Sequence, residues 1–219
     1  HQTRYDIDSL VREPFAGIES FKFKLGYTDY THTEKKEDGT ADTVFSNRAL
    51  QTRWELAHKP LAGWRGNFGI QTEQSNYSAL SAVDGSPQLT PKTKSSTFAG
   101  FLVEERKFGS VLASAGVRLE SVKRRPEGLQ DRDFNLFSWS TGALWSFVPG
   151  YGLGATYSVA QRAPTVEELY SNGPHESTST FDIGNSSLQK ETSHNIELSL
   201  QKTEGLVRWK GNLFQNKVK

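Results

Sequence analysis

About ten runs of strand-like alternation, joined by short turns and long segments in strict succession, constrain this chain more than any other feature. The clearest run is Phe134 to Phe147. Phe137, Trp139, Thr141, Ala143, Trp145 and Phe147 fall on one side of it, and Ser138, Ser140, Gly142 and Ser146 on the other. Side chains along a strand alternate between faces, so this is a strand with one apolar and one polar side. The same reading predicts strands over Gln2–Leu10, Ile18–Glu34, Thr43–His58, Trp64–Tyr77, Lys94–Arg106, Ser110–Arg124, Tyr151–Ala160, Glu191–Lys202 and Leu206–Lys217. Short turns at Glu13–Gly17, Lys59–Gly63, Lys107–Gly109, Val148–Gly150 and Thr203–Gly205 join them in pairs. Long segments at Lys35–Asp42, Ser78–Thr93, Arg125–Asp133 and Arg162–Leu188 join the pairs. All short turns then fall at one end of the sheet and all long loops at the other. That is the plan of an all-β, antiparallel transmembrane barrel, and runs of ten or more residues suit a tilted bilayer crossing.

Energy decides which face meets lipid. In the Ile18–Glu34 strand, Phe21, Phe23, Leu25 and Tyr27 share one face. Lys22, Lys24, Gly26, Thr28, Tyr30, His32 and Glu34 share the other. A basic side chain facing lipid at the bilayer midplane costs about 2–4 kcal/mol, so the aromatic face is the lipid face and the Lys, Thr and Gly face lines a wet lumen. A soluble sandwich would have to bury that polar face as its core, a poor exchange. Phe15, Trp64, Phe147, Tyr151 and Trp209 lie near the short turns and form one aromatic girdle.

Composition supports the same class. The net charge is +1, from 26 basic and 25 acidic residues, which leaves no basic surplus for nucleic acid. The mean hydropathy is strongly negative and no apolar run is long enough for a membrane helix, which does not weigh against strands that alternate. The absence of cysteine removes disulfides and thiolate metal sites. No signal peptide is recognisable, and both ends read as cut points within a longer pattern.

The longest break, Arg162 to Leu188, is where a function is expected, because a loop of this length needs a job in a compact domain. Thr165 and Glu168 make a capping box behind Pro164, so a short helix should start there. Glu167 and Glu168 are read as charges at its N-terminus. Ser171-Asn172-Gly173-Pro174 breaks the chain again, and His175 follows in a polar, unpatterned segment.

The run Arg162–His175, with Phe181–Leu200 after it, resembles the corresponding barrel stretch of TonB-dependent outer-membrane receptors, and more narrowly the zinc-uptake receptors among them. Asp29–Lys35, Glu55–Gln71 and Tyr77–Ala82 carry the same likeness. The resemblance implies a barrel of the 22-strand type closed by an N-terminal plug. It further implies residence in the bacterial outer membrane, in contact with its lipid, and import powered by the inner-membrane TonB complex acting through the plug. No plug pattern, energy-coupling box or C-terminal aromatic is seen, so residues 1–219 are read as about ten strands from the middle of such a receptor. An open piece has two unpaired edges, so the remaining strands must come from elsewhere.

Among five histidines, His1 is terminal, and His58 and His194 are in phase with lipid-facing residues. His32 and Glu34 share the lumen face at the long-loop end, and His175 lies in the longest loop. Imidazole nitrogen and carboxylate oxygen are both zinc ligands. In the zinc receptors that the chain resembles, a barrel Glu and a loop His complete a site begun by an Asp and a His of the plug. By match of motif, Glu34 is that Glu and His175 that His, with His32 auxiliary and Asp182 and Glu176 weaker candidates. The transported ligand is then zinc. Haem, with His175 as an axial ligand, or a ferric siderophore is the alternative cargo. A ten-strand outer-membrane protease would need Asp and His clustered on the rim. Asp29 is on the lipid phase and no Asp–His pair is evident, so no enzymatic activity is expected.

Overall fold

The computed structural model describes residues 1–175 and 178–219. Ten strands form one antiparallel sheet in chain order: β1 (Gln2–Arg12), β2 (Ile18–Lys35), β3 (Ala41–Leu61), β4 (Trp64–Ser81), β5 (Pro87–Phe108), β6 (Val111–Pro126), β7 (Arg132–Val148), β8 (Tyr151–Arg162), β11 (Glu191–Lys202) and β12 (Trp209–Val218). Between β8 and β11 the chain builds a five-residue helix α1 (Val166–Tyr170) and a separate hairpin of β9 (Asn172–His175) and β10 (Thr180–Ile183). No pairing joins β1 to β12 among the described residues, so the sheet is an open arc. It is neither a sandwich nor a closed ten-strand barrel.

The faces divide as the alternation requires. Lumen positions carry charge in short-range pairs. Arg4 meets Asp6 at 2.8 Å, Lys24 meets Asp8 at 3.2 Å, and Arg53 meets Glu55 at 2.7 Å. Arg118 meets Glu120 in the same way. Each Arg–acid pair is two residues apart on one strand, side by side on one face. Phe101 lies beneath the Arg53 guanidinium, 4.1 Å from it, an aromatic lid over a charge. The opposite face exposes Leu50, Trp54, Phe68, Ile70, Phe98, Leu102, Phe137, Trp145 and Leu153 to the membrane side. At the short-turn end Trp64 packs edge-on to Phe108, and Phe147 lies 6.2 Å from Tyr151. The β3–β4 turn is held by Ala62 and Gly63, both at positive φ. Two such residues give a turn whose twist matches the flanking strands.

Several long loops are shorter than the sequence suggested, because the strands run on past their expected ends. The predicted loop Ser78–Thr93 is mostly strand. Tyr77 pairs with Thr93, Ala79 with Thr90 and Leu80 with Pro87, across two bulges. Pro87 and Pro91 read as breakers, but bulges are where a strand tolerates proline. The "unpatterned" part of the Arg162–Leu188 loop is likewise the β9–β10 hairpin.

Buried apolar residues gather on the lumen face at the long-loop end. Val166, Leu169 and Tyr170 of α1 pack with Ala163 against Val122, Phe134 and Leu136. Phe45, Ala79 and Leu89 form a second cluster, and Tyr77 touches both. The longest loop therefore folds inward over the sheet.

Candidate metal-binding site

The loop is placed by contacts that the sequence only partly announces. Thr165 caps α1: its hydroxyl accepts from the Glu168 amide at 3.2 Å, and the Glu168 carboxylate accepts from the Thr165 amide at 2.7 Å. Arg162 holds Glu168 at 2.9 Å and Glu191 at 3.2 Å, tying the helix to the end of β8 and the start of β11. These contacts hold the Glu168 carboxyl below the usual glutamate range, the Arg162 guanidinium being the largest cause and the Thr165 amide the next.

The hairpin is clamped at its base. The Gly184 amide donates to the Ser171 carbonyl at 2.6 Å, and the Asn185 amide to the Glu168 carbonyl at 2.8 Å. Ser171 and Thr90 share a buried hydroxyl contact of 3.2 Å. At Gly173, β9 lies flat on β5, and a Cβ built there would stand 1.9 Å from the Gln88 carbonyl oxygen. Only glycine allows that approach.

His175 stands at the end of β9. Its Nε2 is 3.3 Å from Glu34 Oε1, and its Nδ1 is 3.0 Å from Asp182 Oδ2. Asp182 and His175 are diagonal neighbours across the β9–β10 pair, on one face of the hairpin. The Thr180 hydroxyl donates to the other Asp182 oxygen at 3.0 Å. Glu34 is nearly covered, with a side chain 10% exposed, and its Oε2 is buried without a partner. The Phe45 ring lies below His175, 5.9 Å away.

Two donors bonded to one tetrahedral zinc at about 2.0–2.1 Å stand about 3.3 Å apart. The Nε2–Oε1 separation has that value, and the second Glu34 oxygen is free of protein partners. A carboxylate on the far nitrogen of a ligating imidazole fixes its tautomer and raises its basicity. Asp182 is placed for that work rather than as a ligand on the Glu34 side. The spacing of the pair fits zinc or a similar cation, and the two side chains would make half of a four-ligand site. No group of three or more such residues able to hold a metal forms among the described residues.

The structure thus unites Glu34 and His175 and separates His32. The His32 ring stacks on Phe45, 4.5 Å between centroids and 7° between planes, and Phe45 is in turn 5.9 Å from His175, whereas no contact of His32 with Glu34 or His175 is found among the described residues. His32 Nδ1 is buried without a partner. Glu176 lies outside the described residues. The Asp–His pair that was not evident in the sequence exists, as Asp182 and His175. The nitrogen with which such a pair would draw a proton from water faces Glu34 instead. Phe45 was legible from its lumen phase in β3. Asp182 stood among the weaker candidates, but its pairing with His175 carried no signal, since it is set by a hairpin without alternation. His58, assigned to the lipid interface, lies on the outward phase but is tied down, with Nε2 2.9 Å from Glu104 and Nδ1 2.8 Å from the Lys59 carbonyl.

Residues 2–219 match the family model described as "TonB dependent receptor-like, beta-barrel". The chain belongs to that family. Solved structures agree on the fold. The copper transporter OprC superposes with a TM-score of 0.78 at 14% identity, over 99% of this chain and 38% of its own. The FrpB iron transporter from Neisseria meningitidis (F5-1 variant, apoprotein form) gives 0.78 at 9% identity, over 100% and 37%. A double mutant of the Serratia marcescens hemophore receptor HasR, in complex with its hemophore HasA and heme, gives 0.78 at 19% identity, over 99% and 39%. The chain spans under two-fifths of the length of these receptors.

Proposed function

We propose that this chain is part of the barrel of an outer-membrane, TonB-powered importer of a divalent metal, and that the metal is zinc. The observation that carries the reading is the 3.3 Å separation of His175 Nε2 from Glu34 Oε1, with Asp182 behind the imidazole. Glu34 belongs to the wall and His175 to an inward-folded loop, so a cation entering from the long-loop side meets both. Two further ligands come from outside residues 1–219, and we assign them to the plug that closes barrels of this family. No bond is made or broken in the cargo: the receptor binds the metal outside and releases it inward when the plug is pulled.

Named relatives of the same fold carry copper, iron and haem, which supports metal import as the broad class. The donor set favours zinc within it. The chain has no cysteine and no methionine, the soft ligands that suit Cu(I). Haem needs an imidazole with one face open to iron and an apolar cleft beside it. Here both His175 nitrogens face carboxylates.

The test is calorimetric titration of zinc into the complete receptor. Glu34→Gln and His175→Ala should each weaken binding at least tenfold, about 1.4 kcal/mol. Unchanged affinity in both variants would remove these residues from the site and turn attention to haem or a ferric siderophore.

A further inference from the structure

A groove of about 820 Å³ opens on the outward face at the short-turn end, lined by Leu61, Trp64, Phe68 and Ala115 and touched by His58 and Glu104. Its lining is almost wholly apolar. Strand pairing fixes the face: Trp64 stands opposite Arg106, Phe68 opposite Leu102 and Ala115 opposite Glu104, all on the outward phase. Small-molecule sites run from about 300 to 1,000 Å³, and this one lies in the aromatic girdle, the level of lipid headgroups. Beside it stands Arg106, its guanidinium 5.8 Å from the Trp64 ring and 4.7 Å from the Phe108 ring. On the lumen face an arginine holds the acid two places along its own strand, as Arg53 holds Glu55. Glu104 has that spacing from Arg106, yet it turns to His58 Nε2, 2.9 Å away. His58 Nδ1 meets the Lys59 carbonyl at 2.8 Å. Two acceptors require a proton on each ring nitrogen, so the His58 ring answers the charge of Glu104. Glu105 is on the lumen phase, and Glu13 is held by Lys59. Among the described residues Arg106 enters no ion pair and no side-chain hydrogen bond.

A guanidinium stacks on aromatic faces and binds phosphate through two parallel hydrogen bonds. Arg106 has the first kind of partner and lacks the second. We propose that this groove is a lipid site: the phosphate diester of a glycerophospholipid, from the leaflet at the short-turn end, sits on Arg106, and an acyl chain lies in the groove over Trp64 and Phe68. Charge supports that occupant. His58 and Glu104 cancel, which leaves the single positive charge of Arg106 to meet the single negative charge of a diester. The apolar lining supports it as well, since it suits a chain that free phosphate lacks. A lipid held there spans the ends of β3, β4 and β5 from outside. The proposal rests on the outward face of the barrel meeting lipid and does not depend on Glu34 or His175.

The test uses delipidated complete receptor in detergent, titrated with dioctanoyl phosphatidylethanolamine and followed by native mass spectrometry. Saturable binding that Arg106→Gln weakens tenfold or more, and Arg106→Lys weakens less, supports the site. Ala115→Phe puts a ring into the groove from a position that already faces lipid, and should weaken the phospholipid tenfold as well. Dioctanoylglycerol, which lacks the phosphate, should bind wild type and Arg106→Gln alike, and more weakly than the phospholipid binds wild type. Each variant should keep the circular dichroism and the zinc titration of wild type, which separates this site from the metal site and from misfolding. Absence of saturable binding, equal affinity in Arg106→Gln or Ala115→Phe, or displacement of the lipid by inorganic phosphate alone overturns the proposal. So does a second copy of the receptor found covering the groove.

Discussion

Replacing Gly173 with alanine should remove zinc affinity without touching a metal ligand. The new Cβ would stand 1.9 Å from the Gln88 carbonyl oxygen, 2.9 Å from its carbon and 3.1 Å from Leu89 Cα. All three are backbone atoms, so no side-chain rotation relieves the clash. Ordinary contact begins at 3.4 Å, leaving a shortfall of 1.5 Å, 3.4 less 1.9, that β9 must make up by lifting from β5. Metal–ligand distances tolerate only about 0.2 Å. His175 is two residues along the same four-residue strand and moves with it, so Gly173→Ala should cost what His175→Ala costs, at least tenfold. The pairing of the ten-strand sheet does not involve Gly173 and should persist. Zinc calorimetry on the two single variants and the double variant decides the matter. If the glycine acts through His175, the double variant loses no more than either single one, as residues that share one interaction are non-additive. Wild-type affinity in Gly173→Ala, or losses that simply add, would refute a hairpin held by that backbone contact.

Asp182→Asn should keep the loop in place but weaken zinc about 10–100-fold, as loss of a carboxylate behind a ligating histidine does elsewhere; the same titration reads it. Thr165→Ala removes the α1 cap and should cost about 1 kcal/mol of local helix stability, visible as faster amide exchange at Glu168 and Leu169 with the sheet unchanged. The Glu168 carboxyl is held below its ordinary value by Arg162 and the Thr165 amide. Its contribution to docking α1 is therefore complete above the ordinary glutamate range and is lost as pH falls through the depressed value. Exchange at Leu169 should accelerate only in that acidic window, and in Glu168→Gln the pH dependence should vanish.

The strands were readable because their period is two and lipid enforces it: one face must be apolar over the whole crossing. That constraint ends where the strands leave the bilayer, and so did the accuracy of their bounds. Pro87 and Pro91 looked like breakers only because the bulges that accommodate them are properties of the β4–β5 ladder. Glu34 was placed on the lumen face by parity, and the capping box of α1 by its three-residue spacing. The Arg162 fork depends on the β8–β11 register and on where α1 docks, and the Asp182–His175 pair on the β9–β10 register, none of which periodicity reports. Parity put His32 beside Glu34, but only packing could reveal that His32 stacks on Phe45.

The lumen wall neutralises itself residue by residue, since Arg4, Arg53 and Arg118 each hold the acid two places along their own strand. A cation drifting past these carboxylates finds each already answered by a guanidinium, and has little reason to stop. Glu34 has His175 but no lysine or arginine within ion-pair distance among the described residues. Under the proposed import of a divalent metal, such paired carboxylates would hold the cation weakly and Glu34 would hold it strongly, so capture at low concentration would lose little to those stretches of wall.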